Sequence, residues 1–408
     1  HAKFVYRQVL ASPRLAGSVT AAAPQIVGKL AYVTAPDGRQ IPVLASGQIP
    51  SRNDAVGAGA AVASGSWTDD AGDREWAEPT PFQIRNEIDH FHEPPAAAAN
   101  DPSWAEWHYF NVLGADGAHW AFISYIVAGA VPTGRWGGRL LVTLHGRGAP
   151  AERFVADVPS SRVRFSTASA DLAIGASTVT VLPNGDYRLH GVARGERDGA
   201  PLTLDLTVSP EPGAYFPGAS VSSDSLVSGY VVPALRADAS GTICVSGRCD
   251  RYAGVQAYHD HNWGTWRGVT WDWGAGRAGT LGVLYGRVDD ERRTVVRPLF
   301  VYLTDAQGFL AVFRPSRVEY TGSRAITVNG TRVVVPGHAQ MTDVRGDDTL
   351  RLTIDVQSAA GTDTRTPPVA RGPARPYFLQ MKGLLHVSGR VNGRAIAGTG
   401  TGFFETYR

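Results

Sequence analysis

The sequence predicts an all-β fold made of two antiparallel, barrel-like domains. Turn-forming residues are dense, with 47 glycines and 26 prolines among 408 residues. They separate short runs rich in valine, threonine and aromatic residues, which is the composition of strands. No long stretch places apolar residues at i, i+3, i+4 and i+7 between caps, so helices are expected to be few and short.

Asn-Gly and Asp-Gly pairs mark individual hairpins, because these residues tolerate the positive φ angles of a tight turn. Three Asn-Gly turns are predicted at Asn184-Gly185, Asn329-Gly330 and Asn392-Gly393, each between runs of alternating apolar residues. Asp37-Gly38 and Asp116-Gly117 predict two more. Antiparallel sheets of this size must protect their edges, which favours barrels or sandwiches.

The chain length fits two domains of about 180–230 residues each. A strand at Tyr230–Leu235 ends near the middle of the chain. The predicted division is therefore an N-terminal domain at residues 1–230 and a C-terminal domain at residues 231–408. Hydrophobic residues at 43% and charged residues at 19% supply a substantial core and exclude global disorder.

Composition and charge also indicate which kinds of partner the protein is not expected to bind. The longest apolar run, Trp120–Val131, is shorter than the ~18 residues of a membrane-spanning helix, so no transmembrane segment is expected. The formal net charge is only +2, and the arginines are spread along the chain, which argues against a nucleic-acid partner. Peripheral contact with a membrane and the oligomeric state stay open.

The two cysteines, Cys244 and Cys249, flank Ser246-Gly247. This spacing is typical of a hairpin tip, where two Cα atoms approach closely enough for a disulfide. Unrelated buried thiols are the alternative. A disulfide predicts an oxidising compartment, so the protein is expected to be exported, to the periplasm or the outside, with a cytoplasmic location left open. The sequence starts at His1 without a signal-peptide pattern, as expected of a mature or trimmed chain.

Aromatic and ionisable residues concentrate in three segments of the sequence. The first is Trp104–Asn111, which precedes an aromatic strand. The second begins with Tyr258-His-Asp-His-Asn-Trp-Gly264 and continues through Trp271-Asp-Trp-Gly274. The third is Gly398-Thr-Gly-Thr-Gly-Phe-Phe-Glu405. The catalytic and substrate-binding residues are expected in these segments.

These segments resemble motifs of the carotenoid 1,2-hydratase and AttH-like superfamily, which also contains natural-product cyclases and Diels–Alderases. The resemblance extends from about Phe82 to the C-terminus, and residues 1–80 carry no matching motif. It implies two lipocalin-like β-barrel domains, an isoprenoid or polyene ligand and no metal. His108 stands where the family commonly has a tryptophan. Function is not fixed, since the fold hosts hydratases, cyclases, pericyclases and lipid carriers.

Asp260 is the expected catalytic acid, assisted by His259 and His261. Protonation of an alkene requires an acid, and a carboxyl group stays protonated at neutral pH only when it is buried. A hydrogen bond from a flanking imidazole would tune it, and nearby indoles would stabilise a carbocation by ~0.5–2 kcal/mol each. The alternative is that Asp260 and Asn262 fix a turn beside core tryptophans. The residues expected to contact substrate are Glu106, Trp107, His108, Tyr109, Tyr258, Asn262, Trp263, Trp266, Trp271, Trp273 and Glu405.

Two of these residues, Glu106 and Glu405, are carboxylates beside aromatic neighbours. If Trp107 and Phe404 face the core, strand alternation turns both glutamates outward. Pairing with arginine is the more common role for such a residue, and contact with a ligand is the alternative.

Two His-x-His pairs raise the question of a metal. His90 and His92, and likewise His259 and His261, would share one face of a strand, with Glu93 or His108 available to complete a site. No further ligand stands at a diagnostic spacing, so neither a metal nor another cofactor is expected.

Three functions remain. The first is acid-catalysed hydration or cyclisation of a hydrophobic isoprenoid or polyene, without a redox cofactor. The second is a pericyclase, whose pocket folds a polyene into a reactive conformer. The third is a non-catalytic carrier of an apolar lipid. A buried acid favours the first, neutral hydrogen-bond donors favour the second, and a tunnel without ionisable groups favours the third.

Overall fold

The computed structural model describes most of the chain beyond residue 88. The described residues are 89–92, 94, 101–114, 120–130, 135–146, 151–211, 214–222, 227–266, 268–290, 299–305, 308–364 and 375–408, with three earlier strands. Those strands, β1 (Gln25–Val27), β2 (Leu30–Thr34) and β3 (Gln40–Leu44), pair in order and antiparallel. The predicted turns at Asp37-Gly38 and Asp116-Gly117 lie outside the described residues.

Two compact units form. The first, here called the barrel unit, comprises residues 82–211 and 218–268, and the second comprises residues 1–81, 212–217 and 269–408. The strands that begin within 82–268 are β4 (Trp104–Leu113), β5 (Trp120–Ala130), β6 (Arg135–His145), β7 (Glu152–Pro159), β8 (Val163–Phe165), β9 (Leu172–Ile174), β10 (Ser177–Val181), β11 (Tyr187–Gly195), β12 (Pro201–Pro210), β13 (Phe216–Ser222), β14 (Val227–Val245) and β15 (Arg248–Thr265). A single turn of 3-10 helix lies at Ser160–Arg162.

Eight strands of the barrel unit close into a ring. Its order is β4, β5, β6, β7, β11, β12, β14 and β15, and β15 pairs again with β4. Every neighbouring pair is antiparallel. Closure removes the exposed edges that an open sheet of this size would present.

Alternation along each strand fills the barrel with apolar side chains. Phe110 and Val112 of β4 point inward with Tyr125 of β5, and none of the three is accessible to solvent. Burial of each large apolar side chain contributes about 1.5–3 kcal/mol. Phe91 joins the same core and stacks on Phe165, with ring centroids 5.1 Å apart. This contact anchors the segment 89–92 inside the barrel unit.

The predicted Asn-Gly hairpins are present. Asn329 and Gly330 both adopt positive φ angles (47° and 80°), as the two central residues of a type I′ turn must. Asn392 and Gly393 do the same (49° and 76°). At Asn184-Gly185 only the glycine has a positive φ, and its backbone N–H donates to the Leu182 carbonyl oxygen at 2.8 Å, so this hairpin has a longer loop.

The predicted disulfide is confirmed. Cys244 and Cys249 lie directly opposite each other at the β14–β15 turn, with Cα atoms 3.9 Å apart and the sulfurs bonded. Ser246 and Gly247 form the turn with positive φ angles. A disulfide is consistent with an oxidising compartment, and export stays a prediction.

The second unit contains a nine-stranded antiparallel sheet. Its spatial order is β19, β18, β17, β16, β24, β23, β22, β21 and β20. These strands are β16 (Val269–Ala278), β17 (Leu281–Asp290), β18 (Phe300–Asp305), β19 (Gly308–Phe313), β20 (Glu319–Val328), β21 (Thr331–Arg345), β22 (Asp348–Asp363), β23 (Tyr377–Val391) and β24 (Arg394–Tyr407).

The all-β prediction is therefore confirmed, with a closed barrel and a second antiparallel sheet. The predicted boundary at 230–231 falls inside β14, which pairs with both β12 and β15 of the ring. Apart from residues 212–217, the chain beyond residue 82 changes unit between Gly268 and Val269 instead, because β14 and β15 are needed to close the barrel. Among the described residues, no helix has the length and apolar character required to cross a bilayer.

The response of the protein to alkali is expected to depend on four tyrosines, three of them buried and Tyr320 partly buried. Burial raises the pKa of Tyr125, and it also raises the pKa of Tyr285, Tyr320 and Tyr407 in the second unit. Because the folded-state pKa is the higher one, their contribution to stability is complete below the unfolded value of about 10. It falls by about 1.4 kcal/mol per tyrosine and pH unit above that value. We expect these phenolates to form only as circular dichroism reports unfolding, and ultraviolet phenolate absorbance measures them.

Candidate functional site

Strands β4 and β15 bring the first two sequence motifs together. In their antiparallel register, His261 lies opposite His108 and Asp260 lies opposite Tyr109. Because successive side chains of a strand point to opposite faces, the motif residues divide into two sets. The inward cluster comprises Glu106, His108, His259 and His261 with Asp89 and His92. The outward face comprises Trp107, Tyr109, Asn111, Tyr258, Asp260 and Asn262.

Asp260 is held by its neighbours on the outward face. The Tyr258 hydroxyl donates to Asp260 Oδ2 at 2.7 Å, and Asn262 Nδ2 donates to Oδ1 at 2.6 Å. The Asp260 side chain is buried, at 3% exposure. The expected hydrogen bond to a flanking histidine is replaced by these two, since His259 and His261 point to the other side of β15. Burial disfavours a charged carboxylate, whereas the two donors stabilise it, so these two influences on the Asp260 carboxyl group oppose each other.

Aromatic rings surround this carboxylate on the outward face. Tyr109 lies opposite Asp260, and its ring contacts those of Tyr258 and Phe122, with centroids 6.4 and 5.7 Å away. Asn111 is 1% exposed, and its Nδ2 has no hydrogen-bond partner among the described residues. The face thus combines one carboxyl group, phenols and a neutral donor in apolar surroundings.

Trp107 and Trp266 extend the outward face at the end of β4. Their ring centroids are 4.6 Å apart, and Trp266 Nε1 donates to the Ala105 carbonyl oxygen at 2.9 Å. Both indoles are half-buried. Of the tryptophans expected to contact substrate, these two lie on the same face of the barrel unit as Asp260.

Asp89 is the centre of the inward cluster. It accepts from His261 Nδ1 at 2.8 Å through Oδ1, and from the Tyr187 hydroxyl at 2.5 Å through Oδ2. His259 Nε2 lies 3.4 Å from Oδ2. Burial favours the neutral acid, but His259 and His261 outweigh it and hold the pKa of Asp89 well below its usual value. Asp89 is therefore a buried carboxylate.

His261 bridges two carboxylates. Its Nδ1 faces Asp89, and its Nε2 lies 2.9 Å from Glu106 Oε1. Burial alone would lower the pKa of His261, but the hydrogen bonds to Asp89 and Glu106 raise it to about 9. Both ring nitrogens then donate, and the ring is an imidazolium at neutral pH.

Glu106 faces inward, whereas Trp107 faces outward, the reverse of the expected orientation. Besides His261, Glu106 Oε1 contacts His92 Nδ1 at 2.9 Å, and the carboxylate accepts from the His92 backbone N–H. The expected arginine partner is thus replaced by two histidines. Burial lowers the pKa of His92, against the effect of Glu106.

The remaining predicted residues lie elsewhere. Trp263 is half-buried on the inward side and stacks on His92, with centroids 3.7 Å apart, so it lies on the face opposite Asp260. Trp271, Trp273 and Glu405 belong to the second unit. There Trp271 Nε1 donates to Glu405 Oε2 at 3.0 Å, and Trp273 is 5% exposed and packs on Phe300.

Sequence reasoning missed Asp89 and Tyr187. Asp89 lies one residue before the first His-x-His pair, which was the available signal, but 170 positions before His259. Tyr187 follows the Asn184-Gly185 turn and carries no local sign of function. Within the first pair, His90 and His92 stack at 4.7 Å. Glu93 lies outside the described residues.

Comparisons with known proteins bear on the fold. No protein-family model matches the sequence, and no curated protein matches it. The structure is similar to that of a candidate AttH from Nitrosomonas europaea, with a TM-score of 0.50 and 15% identity over 75% of this chain and 93% of that chain.

Two further structures are similar. Kievitone hydratase from Nectria haematococca has a TM-score of 0.47 and 12% identity, over 79% of this chain and 94% of its own. CghA bound to Sch210972 has a TM-score of 0.49 and 13% identity, over 75% and 89%. At these identities the likeness concerns the fold alone, and the chain shares the fold of the AttH structure, as the sequence motifs predict.

Proposed function

We propose that the protein is an enzyme that moves protons to and from an apolar substrate at the outward face of β4 and β15. The reaction is hydration or cyclisation of an isoprenoid or polyene, and Asp260 is the acid–base group. The observation that carries this proposal is the buried Asp260 carboxyl group, held between the Tyr258 hydroxyl and the Asn262 amide among aromatic rings. His259 and His261 act on the other face of β15 and position the strand.

In this reaction Asp260 first donates a proton and later regains one. The protonated carboxyl group gives its proton to one alkene carbon, and a carbocation forms at the other. In hydration, water adds to the cation and its proton returns to the Asp260 carboxylate. In cyclisation, a second alkene adds, and the carboxylate takes a proton from the carbon beside the new cation. Asp260 starts and ends each cycle protonated, and Tyr258 and Asn262 stabilise the intermediate carboxylate.

The aromatic rings have a second role in this scheme. The π face of an indole or a phenol attracts a carbocation as it attracts other cations, by about 0.5–2 kcal/mol per ring. On the outward face, Trp107, Tyr109 and Trp266 are the rings available for this. Apolar walls also limit the access of water to the cation, which selects between hydration and cyclisation.

A pericyclase is the second candidate, and Asn111 is the observation that favours it. Its buried amide Nδ2 has no hydrogen-bond partner among the described residues. A neutral donor of this kind can bind a substrate carbonyl and polarise a diene or dienophile without proton transfer. In that case Asn111, rather than Asp260, would carry the activity.

Mass spectrometry of incubations with isoprenoid and polyene alkenes tests the proposal. Hydration gives a product with the mass of one added water, and cyclisation gives an isomer with a new retention time. The product of an Asn111→Ala variant separates the two candidates, because only the pericyclase requires this amide. Stable binding of substrates without any conversion would instead support a carrier and contradict the proposed function.

A further inference from the structure

The His108 imidazole is the least explained group of the inward cluster. Its side chain is fully buried, yet neither ring nitrogen has a hydrogen-bond partner among the residues that the structure describes. Its nearest charged neighbour is Asp89, whose Oδ1 lies 3.6 Å from Nδ1. This is longer than a hydrogen bond of about 2.7–3.2 Å. Leaving two buried nitrogens unpaired is costly, so a partner for this ring is expected.

His259 directs its Nε2 toward the same carboxylate. Its Nδ1 donates to the Tyr109 carbonyl oxygen at 3.1 Å, an acceptor that requires the proton on this nitrogen. Its Nε2 faces the Asp89 carboxylate at 3.4 Å, which is longer than a hydrogen bond of about 2.7–3.2 Å. Histidines that bind metals commonly donate their other N–H to a carbonyl in this way.

Asp89 can serve as the anionic ligand. Its Oδ1 accepts from His261 and its Oδ2 accepts from Tyr187. Each carboxylate oxygen has two lone pairs, so one remains on each. The hydrogen bonds fix the direction of the carboxylate toward His108 and His259.

The separations of the two histidines from Asp89 are close to the edge length of a metal coordination shell. Ligand atoms of Asp89, His108 and His259 all lie within 4.8 Å of one another, and two separations are 3.4 and 3.6 Å. Metal–ligand bonds of about 2.0–2.1 Å in a tetrahedral site place the ligand atoms about 3.3–3.4 Å apart. We propose that Asp89, His108 and His259 form a buried site for a divalent first-row transition metal such as Zn²⁺.

A neighbouring triad differs in its geometry. His92, Glu106 and His261 also lie within 4.8 Å of one another. Their contacts are 2.9 Å long and have the length of ordinary hydrogen bonds, with protons between the atoms. This triad is satisfied without a metal, and it provides the control for the experiment.

The metal would cross-link separate segments of the barrel unit. Asp89 belongs to the segment 89–92, His108 to β4 and His259 to β15, and all three are inaccessible to solvent. A site so closed binds its metal as the chain folds. It lies on the face of β15 opposite Asp260, so this structural role is separate from the proposed catalytic one.

Refolding with metal tests the site. The full chain is unfolded in guanidinium with a chelator and refolded with Zn²⁺ or with Co²⁺, and the retained metal is measured after desalting. We expect about one ion per chain, and for Co²⁺ the visible absorption of a tetrahedral N/O site. His108→Phe should lower retention at least tenfold, since even an outer-shell change costs about 10–100-fold in affinity. His92→Gln should retain the metal.

Stability measurements keep the proposal testable in every case. With chelator present, His108→Phe should be at least as stable as the wild type, because it removes an unpaired polar ring. With Zn²⁺ present, only the wild type should gain stability. Native circular dichroism without retained metal in the wild type would overturn the proposal. Metal retention that is lost in His92→Gln but kept in His108→Phe would also overturn the proposal. If His108→Phe does not fold, the test uses Asp89→Asn and the Co²⁺ spectrum of the wild type. Loss of metal retention in Asp89→Asn together with a tetrahedral Co²⁺ spectrum supports the site, and unchanged retention without that spectrum overturns it.

Discussion

Replacement of Asp260 by asparagine is expected to remove most turnover while the fold persists. Asparagine keeps the size of the side chain and can still accept one hydrogen bond from Tyr258 or Asn262, so the outward face stays packed. It cannot give or take the catalytic proton. General acid–base catalysis typically contributes about 10²–10⁴-fold, and kcat should fall by at least that factor. Steady-state kinetics with a converted alkene measure the loss.

Asp205→Asn is the matched control for this substitution. Asp205 lies on β12 of the same unit, where its exposed carboxylate pairs with His190 at 2.7 Å. The same chemical change there should leave kcat and KM at their wild-type values. Wild-type turnover by a folded Asp260→Asn protein would remove the residue from the mechanism, and the Asn111-based pericyclase would then take its place.

Removal of the Glu106 carboxylate is expected to cause the largest loss of stability. Glu106→Ala leaves the His261 imidazolium with one unpaired N–H and removes the acceptor of the His92 backbone N–H. Breaking a buried ion pair by deleting one partner costs about 3–5 kcal/mol. Guanidinium unfolding of the variant and the wild type, followed by circular dichroism, measures this difference.

The control for Glu106 is a carboxylate on the barrel surface. Asp157 of β7 accepts from Arg139 at 2.6 and 3.1 Å, and both side chains are exposed. Asp157→Ala should cost about 0–1 kcal/mol, as exposed pairs do. Equal effects of the two variants would mean that the buried position of Glu106 does not matter, contrary to the inward cluster described here.

Local signals were sufficient to predict the fold. Asn329-Gly330 and Asn392-Gly393 form their turns through residues adjacent in sequence, and Cys244 and Cys249 are joined across a turn of the same kind. Such features depend on φ preferences and spacing, which the sequence displays directly. The boundary between the units depends on which distant strands close the ring, and β14 could not be assigned from its own residues.

The candidate site was predicted less completely, because it depends on faces and on distant contacts. Asp260 was expected to bond its neighbours in sequence, but alternation along β15 turns His259 and His261 to the other side. The partners of those histidines, Asp89 and Glu106, come from other parts of the chain. The motif located the strand correctly. Alternation along β15 assigns its residues to the two faces, and the register with β4 shows which β4 residues share each face.

The most direct measurement of the central claim is the deuterium content of the product formed in deuterated water. If Asp260 protonates an alkene carbon, each product molecule from the wild type carries a carbon-bound deuteron that washing with ordinary water does not remove. The Asp260→Asn protein should form almost none of this product. Product without carbon-bound deuterium, formed equally fast by both proteins, would contradict proton transfer at Asp260.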